Sequence, residues 1–405
     1  MSYELLSKLK YKDPKHYEAI YQERLHSPYT VRTDFKVKGS PAFFVQTPEV
    51  FELTYKLLSL DKAVLMTSDS LPMTAIAQYA DSCLIDEIVS SNSIEGVHST
   101  RREIGEVLRS LEEQSKTKGK LARFQGIVHK YKVLLDPEEV PLKTLENIRA
   151  VYDEIVLKEV LEEDPNNMPD GKLFRKESAS VYDEAQREIH RGLYPESSIV
   201  SGMENALSFL NDSEVNVLYR ACCFHYMFEY IHPFYDGNGR LGRYILSDIL
   251  SSELHYLLSL SISTNFKTHL HEYYQAFKDC NDETNLGDMT PFLIMVLKVL
   301  CDAEEALLED LTKKEQTWQR YRRIVSQSGF DEPTRELVES LLEATLFTRT
   351  GITRNALMDT LQISSTTLKK RIEKLKKMSL LQERKEGRYL FYKLDLDQFS
   401  DSMTF

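Results

Sequence analysis

The sequence predicts a mainly α-helical protein: a helical bundle core, a small β-hairpin beside it, and a separate C-terminal unit of helices and two strands. Three observations carry this. Apolar residues recur at three- and four-residue spacings over most of the chain, the period of a helix face. Strand-like stretches are few and short, near residues 180–190 and 380–394. A glycine-rich stretch from His232 to Arg243 joins two helix-compatible runs.

The size of 405 residues suits two or three domains. Hydrophobic residues make up 42% of the chain, and 22 Tyr and 18 Phe give ample packing material. A net charge of −12 argues against general coating of nucleic acid but allows a local basic patch. Cys83, Cys222, Cys223, Cys280 and Cys301 are odd in number and lack metal-ligand spacing. They read as buried thiols in a reducing compartment. The first ten residues have no apolar stretch of signal-peptide length, and no window approaches a membrane span. The expectation is a cytoplasmic protein without a membrane partner; a homo-oligomer is left open.

Residues 1–45 are mixed, interrupted by Pro14, Pro28 and Pro41. Residues 48–60 and 72–89 are helical, the second carrying Ile76, Ala80, Leu84 and Ile88. It ends in Ser91, Glu95 and Gly96, and the glycine fits a helix stop. Residues 101–135 predict a helix pair broken near Gly119. Pro137 and Pro141 mark a loop. Residues 142–161 form one amphipathic helix through Leu145, Ile148, Tyr152, Ile155 and Val156. Residues 164–196 are turn-rich. Phe174–Arg175 and residues 180–182 suit short strands, with a turn over 183–187 and a return strand at Glu188, Ile189 and His190. Residues 199–210 and 214–231 are helical and lead into the glycine-rich stretch. Helix resumes over 269–277 and 291–308, followed by a charged connecting helix over 310–330.

Residues 331–405 read as their own unit: a helix over 335–346, a short helix over 353–361, a turn at 362–364, a second helix over 365–378, and two strands around residues 385–388. That order resembles a winged helix-turn-helix. Residues 365–393 carry ten Lys or Arg against three Glu, the footprint of a DNA reader. Ser365, Thr366, Thr367, Lys369, Lys370 and Lys374 are the candidate contacts to duplex DNA. A protein-interaction role and a merely solvated face are the competing readings.

The stretch His-Pro-Phe-Tyr-Asp-Gly-Asn-Gly-Arg-Leu-Gly-Arg, residues 232–243, concentrates chemistry. Gly237 and Gly239 let backbone N–H groups approach an anion. The helix that follows the glycines, from Leu241 and Gly242 to Leu250, aims its free N–H groups at the same point. Arg240 and Arg243 lie three apart with guanidinium forks suited to phosphate. Asp236 is a hard oxygen ligand of the kind Mg²⁺ takes beside phosphates. His232 suits proton removal from a hydroxyl. The residues alone describe a phosphate cradle with a metal and a base at its rim.

The same twelve residues resemble the full signature of the Fic family, whose members mostly transfer AMP from ATP to a hydroxyl of a target protein. The resemblance implies a Fic-type helical bundle over residues 101–310. It implies His232 as base, Asp236 as the Mg²⁺ ligand, and Gly237, Asn238 and Gly239 as the anion hole. Arg240 and Arg243 become ligands of the β- and γ-phosphates, and Phe234 the anchor of the loop. Ser91-x-x-x-Glu95-Gly96 resembles the family's inhibitory motif in its N-terminal subclass, within residues 1–100, with Glu95 pairing Arg243. Tyr273 and Asn281 resemble the adenine pocket. The hairpin near 178–191 resembles a flap that clamps the target by strand addition. The alternatives are a nucleotide-sensing DNA-binding regulator, in which the base would be dispensable, and removal of AMP through the same site.

Overall fold

A computed structural model describes residues 3–113, 119–134, 142–182 and 188–401. The expected loop at Pro137 and Pro141 and the expected turn over 183–187 lie outside those residues. The chain divides into two compact units: residues 1–62 with 84–305, and residues 63–83 with 306–405.

The first unit begins with α1 (Leu6–Lys12) and α2 (Tyr17–His26), then a hairpin of β1 (Thr30–Val37) and β2 (Ser40–Val45). Sequence reading missed this hairpin. Lys38 and Gly39 both take positive φ (49° and 87°), the tight turn that strand twist favours. The hairpin is apolar on one side: Phe44 packs edge-on against Tyr219 and Phe209, and Phe35 against Tyr230.

Helices α3 (Pro48–Asp69) and α4 (Met73–Ile94) follow, both longer than expected, and the unit boundary falls within each. Gly96, at φ 74°, ends α4 as the sequence indicates. Next come α5 (Arg101–Glu112), opened by a Thr100–Glu103 capping box, and α6 (Gln125–Val133). The single helix expected over 142–161 is instead α7 (Leu145–Tyr152), a π-helical turn (Asp153–Leu157) and α8 (Lys158–Glu163). The wider turn brings Val156 under Gly237, where a Cβ on the glycine would lie 2.9 Å from Val156 Cγ2.

The predicted flap is a hairpin of β3 (Ser180–Tyr182) and β4 (Glu188–Arg191), pairing Ser180 with Arg191 and Val181 with His190. Phe174 and Arg175 are not a strand; both are buried. Then α9 (Glu196–Leu210), α10 (Val217–Ile231) and α11 (Asn238–Ser251) form the centre of the unit, where twelve of the fifteen residues of α10 are buried. Short helices α12 (Tyr256–Ser259) and α13 (Ile262–Thr268) precede α14 (Leu270–Asn281) and the long α15 (Thr290–Gln327). Helix α15 fuses the two helices expected over 291–330, because no Gly or Pro interrupts them after Pro291.

The second unit contains α16 (Glu332–Phe347), β5 (Ile352–Thr353), α17 (Arg354–Leu361), α18 (Ser365–Lys377), β6 (Leu381–Glu386), β7 (Tyr389–Leu394) and α19 (Leu396–Asp401). The sheet order is β5-β7-β6. Leu337, Leu341, Leu357, Leu368, Leu375 and Tyr392 belong to its core. Helix α18 is capped by Ser364, whose Oγ accepts from Thr367 N–H. The order of helices and strands in residues 332–394 follows the sequence expectation, with β5 added. Among the described residues no helix is long and apolar enough to cross a membrane.

Candidate active site

The end of α10 is held by residues far away in sequence. His232 leaves the helix in the left-handed region (φ 52°), while its N–H still donates to Phe228 O (2.9 Å). Arg175, fully buried, donates through Nε and Nη2 to the His232 carbonyl (2.9 and 2.7 Å), and its N–H donates to Pro233 O (3.2 Å). A Cβ on Gly192 would fall 2.8 Å from both His232 Cβ and Ile231 O, so the segment following the hairpin approaches His232 closely. Phe234 is stacked on Tyr152 (3.6 Å, 5°), with Phe174 at its edge, and anchors the loop as expected. The Asn238 side chain closes the loop on itself: Oδ1 accepts from Phe234 N–H and Nδ2 donates to Phe234 O, both 2.9 Å. Its amide therefore shapes the turn, and only its backbone N–H is left for an anion.

Gly237 takes φ 80° and starts α11. Its N–H donates to Asp236 Oδ1 (2.5 Å), and Tyr152 OH donates to Asp236 O (3.2 Å). The first rung of the helix is Leu241 N–H to Gly237 O (3.1 Å). The N–H groups of Asn238, Gly239 and Arg240 precede that rung and point out of the helix end. Leu241 is core, and Gly242 lies against Glu229, whose Oε1 a Cβ there would strike.

Both arginines are buried, and each meets a carboxylate. Arg243 Nη1 lies 2.8 Å from Glu95 Oε1, while Nε donates to Ser91 Oγ (3.2 Å) and Nη2 to Ser91 O (3.0 Å). A Cβ on Gly239 would collide with Glu95 Oε1, so the carboxylate sits directly over the start of α11. Arg240 Nη1 lies 2.6 Å from Glu159 Oε2, with Asp236 Oδ1 at 3.8 Å from Nη2. Glu159 escaped the sequence reading, although it extends the stripe of Ile155 and Val156 at helical spacing.

Burial sets the protonation states. Desolvation, reinforced by the positive fields of His190 and Arg175, pushes the His232 imidazole down to about 3 against the pull of the Glu229 carbonyl. It is neutral at physiological pH and free to accept a proton. Desolvation and the nearby Glu95 push Glu229 up to about 8, with Arg243 opposing. Burial is the largest influence on Arg243 and works against its charge, but Glu95, Tyr273 and Glu229 together outweigh it and hold the guanidinium protonated.

Other candidates are placed less directly. His190 bonds through Nε2 to Tyr230 O (2.7 Å), anchoring β4 to α10. Glu188 is engaged within the hairpin by Ser180 and Arg191, whereas Ile189 is 52% exposed. The expected adenine contacts point into the core instead. Tyr273 is buried among Phe266, Phe277 and Phe292, with its OH hydrogen-bonded to His225 Nε2 (2.7 Å). Asn281 Oδ1 accepts from Tyr226 OH (2.8 Å). The exposed member of the pair is Tyr274, within the electrostatic reach of Glu95 and Arg243. In the second unit, Thr366, Lys369 and Lys370 are exposed on α18, Ser365 Oγ accepts from Arg354, Thr367 belongs to the cap, and Lys374 pairs with Asp331. Among the described residues no three His, Cys, Asp or Glu side chains cluster to hold a metal.

Residues 141–250 match the family model described as Fic/DOC family. The chain is 50% identical over 40 residues to a probable protein adenylyltransferase of Aquifex aeolicus, covering 10% of this chain and 12% of that protein. It is 30% identical over 103 residues to a protein adenylyltransferase of Caenorhabditis elegans, covering 25% of this chain and 18% of that protein. These matches span less than a fifth of either relative. The fold is similar to the crystal structure of a Fic family protein from Desulfovibrio desulfuricans, with TM-score 0.51 and 18% identity over 87% of this chain and 97% of that one. The chain carries a Fic domain, and its relatives include proteins named adenylyltransferases.

Proposed function

We propose that this chain transfers AMP from ATP to a Ser, Thr or Tyr hydroxyl of a target protein, and that Glu95 restrains it. The observation that carries the reading is an anion already seated in the cradle. The Glu95 carboxylate lies over Gly239 and 2.8 Å from Arg243 Nη1, at the N-terminal end of α11. A place that holds a carboxylate between helix N–H groups and a buried guanidinium is chemically suited to a phosphate.

In this reading the β- and γ-phosphates of ATP take the α11 N–H groups, Arg240 and Arg243. Neutral His232 accepts the proton of the target hydroxyl. The hydroxyl oxygen bonds to the α-phosphorus, the bond to the β-phosphate oxygen breaks, and pyrophosphate leaves. Arg175 fixes the base by holding its carbonyl. Asp236 fits Mg²⁺: its side chain is 35% exposed and only Oδ1 is engaged, by Gly237 N–H and distantly by Arg240. That ion would neutralise phosphate charge during transfer. The β3–β4 hairpin would hold the target chain by backbone hydrogen bonds, with Ile189 as an apolar contact. Glu95 inhibits by occupying the guanidinium that the γ-phosphate needs.

ATP labelled on the α-phosphate and ATP labelled on the γ-phosphate separate the possibilities. Protein should gain label only from the first, and His232→Ala should abolish it. Transfer of the γ-label would overturn AMP transfer; label retained by His232→Ala would remove the base.

A further inference from the structure

We infer, on the basis of the transferase reading, that Glu159 is a positioning residue: it turns the Arg240 guanidinium so that its Nε–Nη2 edge faces the phosphates of the nucleotide. Arg175, Arg240 and Arg243 are the buried arginines among the described residues. In each, Nε and Nη2 present two parallel N–H groups, the fork that takes two oxygens at once. Arg175 spends its fork on the His232 carbonyl, and Arg243 spends its own on Ser91 Oγ and O. Arg240 spends neither prong. Its Nη1 donates to Glu159 Oε2 (2.6 Å), while Nε and Nη2 are buried without a hydrogen-bond partner among the described residues. Asp236 Oδ1 lies 3.8 Å from Nη2, beyond hydrogen-bond reach, so this free edge looks toward the loop that precedes α11. A buried fork left open is costly, and two phosphate oxygens are its complement.

Glu159 is built to hold the other end of that guanidinium. Val156 and Val160 both lie against Gly237, where a Cβ would meet Val156 Cγ2 at 2.9 Å and Val160 Cγ2 at 3.4 Å. The same stretch of chain therefore brings Glu159 to the first turn of α11. The Glu159 side chain is 1% exposed, and its second oxygen, Oε1, faces Arg123 Nη1 at 3.9 Å. Arg123 is held in turn: Nη2 donates to His98 O (3.1 Å), and the guanidinium lies over the Phe124 ring (4.5 Å). One arginine thus sits behind the carboxylate and the other in front of it. Because a guanidinium is planar, fixing Nη1 on Glu159 fixes where Nε and Nη2 point. The two arginines of the glycine-rich stretch then play unequal parts. Arg240 offers a two-pronged edge, whereas Arg243 offers the single Nη1 that Glu95 occupies.

The test uses the full chain carrying Glu95→Gly, which opens the cradle, and reads the affinities for ATP with Mg²⁺ and for AMP by titration calorimetry. A misaimed Arg240 should weaken only the ligand with phosphates beyond the first. Glu159→Gln, which keeps the shape and loses the charge, should weaken ATP about tenfold and leave AMP within about twofold. Glu159→Asp keeps the charge one methylene short and should fall between parent and Gln for ATP alone. It also keeps Arg240 paired, so it decides the question if loss of the carboxylate unfolds the chain. Arg240→Ala should weaken ATP by about tenfold or more, and adding Glu159→Gln to it should cost no more than about twofold further, because Glu159 acts only through Arg240. The positioning role is overturned if the Glu159 variants bind ATP like the parent while Arg240→Ala does not. It is equally overturned if ATP and AMP weaken together, as for a merely structural pair, or if the Gln loss persists in full on top of Arg240→Ala. Should the Glu95→Gly chain bind neither ATP nor inorganic triphosphate, the phosphate reading of the cradle falls, and the role of Glu159 with it.

Discussion

Replacing Glu95 by glycine tests the restraint directly. The substitution removes the carboxylate 2.8 Å from Arg243 Nη1 and leaves the two acceptors supplied by Ser91 at 3.2 and 3.0 Å. Arg243 is fully buried and Glu95 is 29% exposed, so this is a charge-assisted bond only partly screened by water. Such bonds contribute about 1.5–3 kcal/mol, and each 1.4 kcal/mol is tenfold, so a phosphate competing for the same guanidinium should gain about 10- to 100-fold. The assay is the initial rate of α-labelled AMP incorporation at limiting ATP, into the protein itself and into lysate proteins. Glu95→Gly should raise that rate by this factor. Glu95→Gln, which keeps the shape and loses the charge, should raise it by less. Because Ser91 still satisfies Arg243, stability should fall by less than the 3–5 kcal/mol typical of a stripped buried charge. A folded Glu95→Gly protein with the parent rate would refute the competition argument. A Gln variant at the parent rate beside a fast Gly variant would show that Glu95 acts by bulk and not by charge.

Three further outcomes follow from the geometry. Glu159→Ala leaves Arg240 buried with only the distant Asp236, and should cost about 3–5 kcal/mol in urea unfolding; a loss under about 1 kcal/mol would mean the pair is not the one that holds Arg240. Phe234→Ala removes a ring stacked at 3.6 Å on Tyr152 and should cost about 3–5 kcal/mol, read as a lower Tm, with AMP transfer falling as the loop loosens. Glu304 is fully buried, and burial with the field of Asp61 pushes its carboxyl up to about 8. The folded state therefore holds a proton that the unfolded chain releases near about 4.5, so stability falls as pH rises between those values; Glu304→Gln should remove that part, gaining at most about 5 kcal/mol at pH 8 relative to pH 4.5. An equal effect of the variant at both pH values would refute the assignment.

The stretch from His232 to Arg243 was legible because its residues are local. Helix, turn, glycines and arginines lie within twelve residues, and the structure keeps them together. What the sequence hid are the distant groups that hold them. Arg175 looks like an ordinary charged residue beside Phe174, yet it is buried and clamps the His232 carbonyl. Nothing in its neighbourhood announces that, since its partner is 57 residues away. Glu159 was readable: an acid inside an apolar helical stripe has to find a buried cation. The π-helical turn was not, because one extra residue in a turn leaves the apolar pattern almost unchanged. The tyrosine pair at 273 and 274 shows a different limit. Adjacent residues on a helix differ by about 100°, so one faces the core and the other does not, and the family resemblance pointed to the buried one. The β1–β2 hairpin was missed because prolines at positions 14, 28 and 41 dominated the reading of a stretch that alternates in and out of the core from Phe35 onward.

The resemblance that singled out Ser91 and Glu95 treats them as a motif, but the structure gives them a shared mechanical basis with Glu87. Residues 87, 91 and 95 succeed one another at four-residue spacing, so they fall along one side of α4 and its end. Glu87, fully buried, accepts the N–H groups of Ser263 (2.8 Å) and Thr264 (3.2 Å) at the start of α13. Ser90 Oγ adds a bond with Thr264 Oγ1 (3.1 Å). One turn later Ser91 receives two bonds from Arg243, and one turn after that Glu95 closes the ion pair. The carboxylate in the cradle is thus the tip of a helix fixed to α13 and to Arg243 itself. Two of the three interactions at Arg243 come from Ser91, which does not occupy the cradle. Loss of the Glu95 contact alone therefore leaves the guanidinium aimed at the α11 N-terminus, where the proposed reaction would place a phosphate.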